Sequence, residues 1–268
     1  ADAKNIEPSK KLMGDYIFLK PSVTALFGCS GVGKTFFTYQ LARAFANGID
    51  VIETDGNLFM NEAPPVRVFY ADLELDDEEY RSRRVMRDGR FTENCKEEIY
   101  FYQRDADAEL EAVENNEPID ETQTICQTAH NLGCKVVIID NLTCLAGDLV
   151  DGATAVNIVT KIKRLSIRYK LTVVLITHTP KVDEEKPLTL NNLAGSKHLG
   201  NYLTGVIAMN RLPYGHAVYL RHVKARGAKQ VEDYVVMAIE NANEEKPPHF
   251  EFIKILKHVD IFGKKAQE

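Results

Sequence analysis

No stretch of this chain is long and apolar enough to cross a bilayer. The longest apolar runs, such as Val173-Val174-Leu175-Ile176, are strand-sized, whereas a spanning helix needs ~20 residues. A signal-peptide pattern is missing as well: the chain opens Ala1-Asp2-Ala3-Lys4, polar and charged. Cysteine is sparse. The five thiols (Cys29, Cys95, Cys126, Cys134 and Cys144) are odd in number and contain no C-x-x-C pair. That excludes a disulfide framework and zinc-ribbon spacing, and points to reduced thiols in a cytoplasmic protein with no membrane partner. Basic residues are not in excess either: 33 Lys and Arg against 39 Asp and Glu leave a net charge of −6. A surface coated in cations for nucleic acid is thereby excluded, although a local basic channel is not.

What is present is an ordinary globular composition, 44% apolar and 27% charged over 268 residues. A chain of this size can bury roughly three quarters of its unfolded surface. No internal repeat or long linker divides it. The expectation is one domain over residues 1–268, with an N-terminal arm at 1–20 and a C-terminal strand and tail at 241–268.

Short apolar runs alternate with amphipathic ones. Val23–Phe27 reads as a strand ending in a glycine-rich turn, and Thr35–Ala46 as a helix burying Phe37, Leu41 and Phe45 on one face. Further strands are expected at 66–71, 99–102, 136–139 and 171–177, and a charged helix at 76–86. A helix capped by Asp120 should end near Gly133, and Val156, Val159, Ile162 and Leu165 have helical spacing. The uninterrupted run Val136–Ile139 suits a strand buried on both faces of a parallel sheet. Beyond a polar loop at 181–195, short strands at 204–209, 217–224, 233–240 and 249–256 suggest an antiparallel extension. The pattern is that of an α/β fold with a mostly parallel central sheet flanked by helices.

Gly28-Cys29-Ser30-Gly31-Val32-Gly33-Lys34-Thr35 matches G-x-x-x-x-G-K-[ST] at every fixed position. With glycine at about 7% usage, roughly one unrelated chain in a hundred of this length would match by chance. Here the required strand precedes the loop and the helix follows it. Gly28, Ser30, Gly31, Val32, Gly33, Lys34 and Thr35 are therefore the expected nucleotide-binding residues. Their backbone amides would cradle phosphates, Lys34 would reach the β- and γ-phosphates, and the Thr35 hydroxyl would ligate Mg2+. Ser30 is not a hydrolase nucleophile, because G-x-S-x-G would need glycine at Val32.

Asp140 ends the strand 136–139, where a Walker B carboxylate would hold the water shell of Mg2+. Asn141 follows it, in a position where many phosphate-loop ATPases carry a catalytic Glu, so the base must come from elsewhere. Glu74, closing Val68-Phe69-Tyr70-Ala71-Asp72-Leu73-Glu74, is the candidate to orient the attacking water. His178, in Thr177-His178-Thr179-Pro180, is the candidate to sense the γ-phosphate.

Taken in this order, these residues resemble the RecA-like ATPases. The nearest branch is the hexameric helicases, with DnaB-type and RepA-type plasmid replication proteins. Tyr70-Ala71-Asp72-Leu73-Glu74-Leu75 and Ile139-Asp140-Asn141-Leu142 look like the small AAA-type ATPases of plasmids and integrative elements. The resemblance covers residues 20–240 and implies a RecA-like fold, ATP with Mg2+, and a hexameric homo-oligomer. It makes Glu74 the catalytic carboxylate and His178 the sensor. It also makes Lys224 and Arg226, in Val223-Lys224-Ala225-Arg226-Gly227, basic side chains that enter a neighbour's ATP site. Single-stranded DNA and replication or mobilisation proteins are the implied partners. Yet Lys181, Lys186 and Lys197 in the 181–198 loop are cancelled by Asp183, Glu184 and Glu185, and phosphate contacts need a basic excess. Three functions stay open: a ring-forming helicase or DNA-translocating ATPase of mobile elements; an oligomeric ATP-dependent switch or loader acting on proteins; or a nucleotide-binding module without hydrolysis, which Asn141 would permit and Glu74 opposes.

Overall fold

The computed structural model describes residues 9–54, 56–74, 95–104, 114–115, 119–146, 152–180, 182–183, 185–193, 199–226, 229–241 and 247–263. The charged helix expected at 76–86 lies outside them.

A nine-stranded sheet organises the molecule. Its strands are β3 (Ser22–Gly28), β4 (Val68–Asp72), β5 (Ile99–Tyr102), β6 (Val136–Asp140), β7 (Thr172–His178), β8 (Gly205–Arg211), β9 (Val218–Ala225), β10 (Tyr234–Glu240) and β11 (His249–Leu256). Their spatial order is β11-β10-β9-β8-β3-β7-β6-β4-β5. Strands β3 to β8 all run parallel, and the antiparallel extension begins with β9, since β8 pairs parallel with β3. Outside this sheet, β1 (Lys11–Met13) and β2 (Ile17–Phe18) form a small hairpin that sequence patterning did not suggest.

Alternation along the strands divides the core in two. On one face Leu26, Tyr70, Ile138 and Ile176 pack against Phe37, Leu41 and Phe45 of α1 (Lys34–Asn47). On the other, Ala25, Phe27, Ile139 and Leu175 meet α2 (Glu121–Asn131) and α4 (Gly152–Tyr169), through Ile125, Ala129, Val159 and Ile162. Each Leu, Ile, Val or Phe so placed contributes about 1.5–3 kcal/mol on burial. The two-sided burial explains why β6 is apolar from Val136 to Ile139. Asp120 caps α2 by accepting from Gln123 N at 3.1 Å, and Gly133 follows that helix at φ +74°. Two short helices were not foreseen, α3 (Leu142–Ala146) and α5 (His258–Phe262). Among the described residues no helix is long and apolar enough to cross a membrane.

Candidate nucleotide site

The site forms at the C-terminal edge of the parallel strands, where open α/β sheets bind ligands. β3 runs out at Gly28, and the loop that follows turns back to start α1. Gly31 and Gly33 lie at φ +72° and +88°, a region in which a side chain is strained. A Cβ on Gly33 would also sit 2.7 Å from the Phe250 ring. Gly28 serves another end: a Cβ there would lie 1.8 Å from the Met209 carbonyl oxygen of β8. The first amides of α1 have no carbonyl four residues back to bond, so they face an incoming anion.

Lys34 folds its ammonium over this loop. It donates to the carbonyls of Gly28 at 3.0 Å and Cys29 at 2.7 Å, and lies 3.4 Å from His178 Nδ1. Burial pulls its pKa below the ordinary lysine range, against the opposing charge of Asp140.

Asp140 ends β6 with its side chain in the core. Tyr70 of β4 donates to Asp140 Oδ2 at 3.3 Å, and the Tyr70 hydroxyl is 2.9 Å from that of Thr38 on α1. The Thr35 hydroxyl also bonds Asp140. Burial pushes this carboxyl up to about 7, Thr35 opposes the shift, and the charges of Asp72 and Glu74 add to it. Thr35 and Asp140 together fit Mg2+, which takes one or two protein ligands beside phosphates and waters. Among the described residues no group of three or more His, Cys, Asp or Glu is arranged to hold a metal by itself. Held there with a nucleotide, the ion would neutralise charge on the β- and γ-phosphates.

The chain leaves β4 through an Asx-type turn: Asp72 Oδ1 accepts from Glu74 N at 3.2 Å, while Leu73 N donates to the Asp140 carbonyl at 2.7 Å. This delivers Glu74 to Asn141, whose Nδ2 donates to Glu74 Oε2 at 2.5 Å. His178, the last residue of β7, puts Nε2 3.1 Å from the same Nδ2 and 3.7 Å from Glu74 Oε2. The His178 ring, with help from Asn141 and Lys34, holds Glu74 below the usual carboxylate range. Glu74, Asp140 and His178 thus line one cavity of about 370 Å3 with Ser30–Phe36.

Three of the cavity's walls went unseen in the sequence. Arg211 ends β8, His216 lies in the turn between β8 and β9, and Phe250 belongs to β11. Arg211 Nη2 donates to the Gly31 carbonyl at 3.1 Å. Strand pairing was the missing information: only once β8 is set beside β3 does Arg211 arrive level with the phosphate loop.

Lys224 and Arg226 lie at the other end of the sheet. Lys224 is registered with Val206, which faces Ala25, and Arg226 N donates to the Thr204 carbonyl. Thr204 N in turn bonds the Val23 carbonyl; with Ala25 three residues and Val23 five before Gly28, the rise along β3 sets Lys224 about 10 Å and Arg226 about 16 Å back from their own phosphate loop. The Lys224 ammonium donates to the Gly200 carbonyl, and burial with the nearby charges of Arg226 and Lys163 lowers its pKa. Arg226 is exposed.

A family model described as an AAA domain (AAA_25) matches residues 1–184. The chain belongs to that family. With its complete phosphate loop it is an ATPase of RecA-like fold. Among solved structures, the ATPase is similar to the KaiC-like protein PH0186 from Pyrococcus horikoshii OT3, at 15% identity and a TM-score of 0.59. The match covers 88% of this chain and 90% of that one, and it carries the fold alone. No curated protein matches the sequence. The family match ends within the loop after β7, so β8 to β11, which supply Arg211, His216 and Phe250, lie beyond it.

Proposed function

We propose that this ATPase is a single-domain, ring-forming motor that hydrolyses ATP with Mg2+ and acts on single-stranded DNA in the replication or transfer of a mobile element. One observation carries the hydrolytic part: Glu74, in the turn that leaves β4, opens into the same cavity as Lys34, Thr35 and Asp140. In this reading the loop amides and Lys34 hold the phosphates. Glu74, kept ionised by its neighbours, orients the attacking water and accepts its proton, since phosphoryl transfer is mostly positioning and electrostatics. His178 stands beside Glu74 and Lys34, where the γ-phosphate would be felt.

Lys224 and Arg226 cannot reach their own site, which supports supply of these cations to a neighbouring copy. An arginine finger given in trans typically raises the rate ~10³–10⁵-fold.

A second reading, a nucleotide-dependent switch or loader acting on protein partners, is favoured by the loop after β7. Lys186 there is paired with Asp183 at 2.9 Å, leaving little basic charge for a DNA backbone. Steady-state ATP turnover at low salt, with and without single-stranded DNA, separates the two. Stimulation that fades with salt supports the motor, and turnover indifferent to DNA supports the switch. Glu74→Gln should still bind ATP while kcat falls about 10²–10⁴-fold, the range for a lost general base; wild-type turnover would remove Glu74 from its role.

A further inference from the structure

Asn141 is 1% exposed, and its carboxamide touches three groups that matter. Its Oδ1 accepts from Cys144 N at 3.2 Å. A backbone N–H can only donate, so this contact fixes which end of the amide is oxygen. The two Nδ2 hydrogens then point at Glu74 Oε2, 2.5 Å away, and at His178 Nε2, 3.1 Å away.

We propose that Asn141 is a positioning residue that couples Glu74 to His178, aiming the carboxylate at the water and fixing which ring nitrogen of His178 faces the phosphate. The inference rests on the reading of Glu74 as the water-orienting group and deepens it.

The hydrogen-bond accounting runs through Lys34. A neutral imidazole has one donor and one acceptor nitrogen. Asn141 Nδ2 and Lys34 Nζ are both donors, and they flank the two ring nitrogens at 3.1 Å and 3.4 Å. They therefore compete for a single acceptor. When the Lys34 ammonium turns to the phosphates, the competition ends. Nε2 then gives up the support it lends Glu74 Oε2 from 3.7 Å and accepts from Asn141, and the proton sits on Nδ1, directed at the phosphate side. The same amide keeps its other hydrogen on Glu74. Arrival of a nucleotide is thus relayed to the base through one side chain, with no net transfer of a proton. Replacing the usual Glu at this place by Asn is not a loss of the base; the residue holds a base that comes from β4.

Asn141→Ser tests this, because a serine oxygen can still accept from Cys144 N while nothing replaces Nδ2. A hydrogen bond to a charged group is at stake, so kcat should fall about tenfold or more, with the Kd for ATP and the thermal unfolding midpoint unchanged. The second arm uses Glu74→Asp, whose shortened carboxylate is already out of reach of the amide. Adding Asn141→Ser to Glu74→Asp should cost nothing further. A wild-type kcat in Asn141→Ser, an equal fold-loss in both backgrounds, or a loss confined to Kd would overturn the coupling. Glu74→Gln separates the layers. If it turns over normally, the reading of Glu74 falls and the coupling with it. If Glu74→Gln is inactive while Asn141→Ser is not, the coupling alone falls.

Discussion

At the C-terminal edge of the parallel strands, Asp140 and Glu74 crowd around one ammonium, that of Lys34, with the charge of Asp72 beside Asp140. At the opposite edge Lys163, Lys224 and Arg226 gather, and among the described residues none of them pairs with a carboxylate. The first edge is short of positive charge, all the more once a nucleotide brings its phosphates. Among the described residues, the second has cations that form no ion pair. In the proposed ring these two edges would meet head to tail, in a heterologous contact that closes on itself. The two edges also differ in how firmly they are built. The acidic one is locked by Tyr70, Asn141 and the turn at Asp72, whereas the cationic one ends in the exposed Arg226.

The largest effect expected is at the junction of these edges. Lys34→Ala removes the ammonium of the phosphate loop, and hydrolysis should be abolished with nucleotide binding weakened. Arg226→Ala should bind nucleotide normally and lose ~10³-fold or more in turnover. Each variant damages a different edge, so mixing the two builds interfaces that pair an intact loop with an intact finger. Partial recovery of activity in the mixture, and specific activity that climbs with protein concentration, are the expected results. A mixture as dead as its components would break the head-to-tail model.

The acidic edge was largely legible before any coordinates, because its chemistry is written in short contiguous strings. Gly28–Thr35 needs only a strand before and a helix after, and Asp140 and Glu74 each close an apolar run. The cationic edge was legible as the K-x-R string around Arg226, but not its place at the far end of the sheet. Arg211 and Phe250 were illegible for the same reason. Whether a late strand lies beside β3 or elsewhere is a matter of long-range pairing, and period-2 patterning is the same in either place. Asn141 was opaque for a different cause: its identity said only that a Glu was missing there, whereas its contacts with Glu74, His178 and Cys144 come from three separate parts of the fold.

A smaller effect concerns protons. Near the cationic edge His222 is buried against Tyr16, with ring centroids 4.4 Å apart, and accepts from Val231 N on Nδ1. Burial lowers its pKa from 6.5 to about 4, opposed by the charge of Asp15. The folded protein thus resists the second proton that the unfolded chain takes up near 6.5. Stability from this group is complete above pH 6.5 and is lost as the pH falls toward 4, about 3 kcal/mol in all. Urea unfolding between pH 7 and 4.5 should therefore show a steeper loss in the wild type than in His222→Gln, by up to about 1.4 kcal/mol per pH unit. Parallel profiles would mean that the imidazole does not hold its charge off at this edge.

The smallest effect decides which edge supplies the cation felt in the transition state. Arg211 stands over the phosphate loop of its own chain, tied to the Gly31 carbonyl, and its side chain is exposed. An exposed charge acts through water and is screened by salt, so it adds to nucleotide affinity modestly. Arg211→Ala should weaken ATP binding about tenfold at low salt, the scale of one charge-assisted hydrogen bond, and less at high salt, leaving kcat near the wild-type value. Titrating a fluorescent ATP analogue across a salt series, beside kcat at saturating ATP, reads both quantities. The contrast with Arg226 is the point of the measurement. If Arg211→Ala binds ATP normally but loses kcat by orders of magnitude, the charge developing on the γ-phosphate is met in cis by the β8–β9 hairpin. The cations at the far edge would then have no catalytic work, and head-to-tail closure would lose its chemical reason.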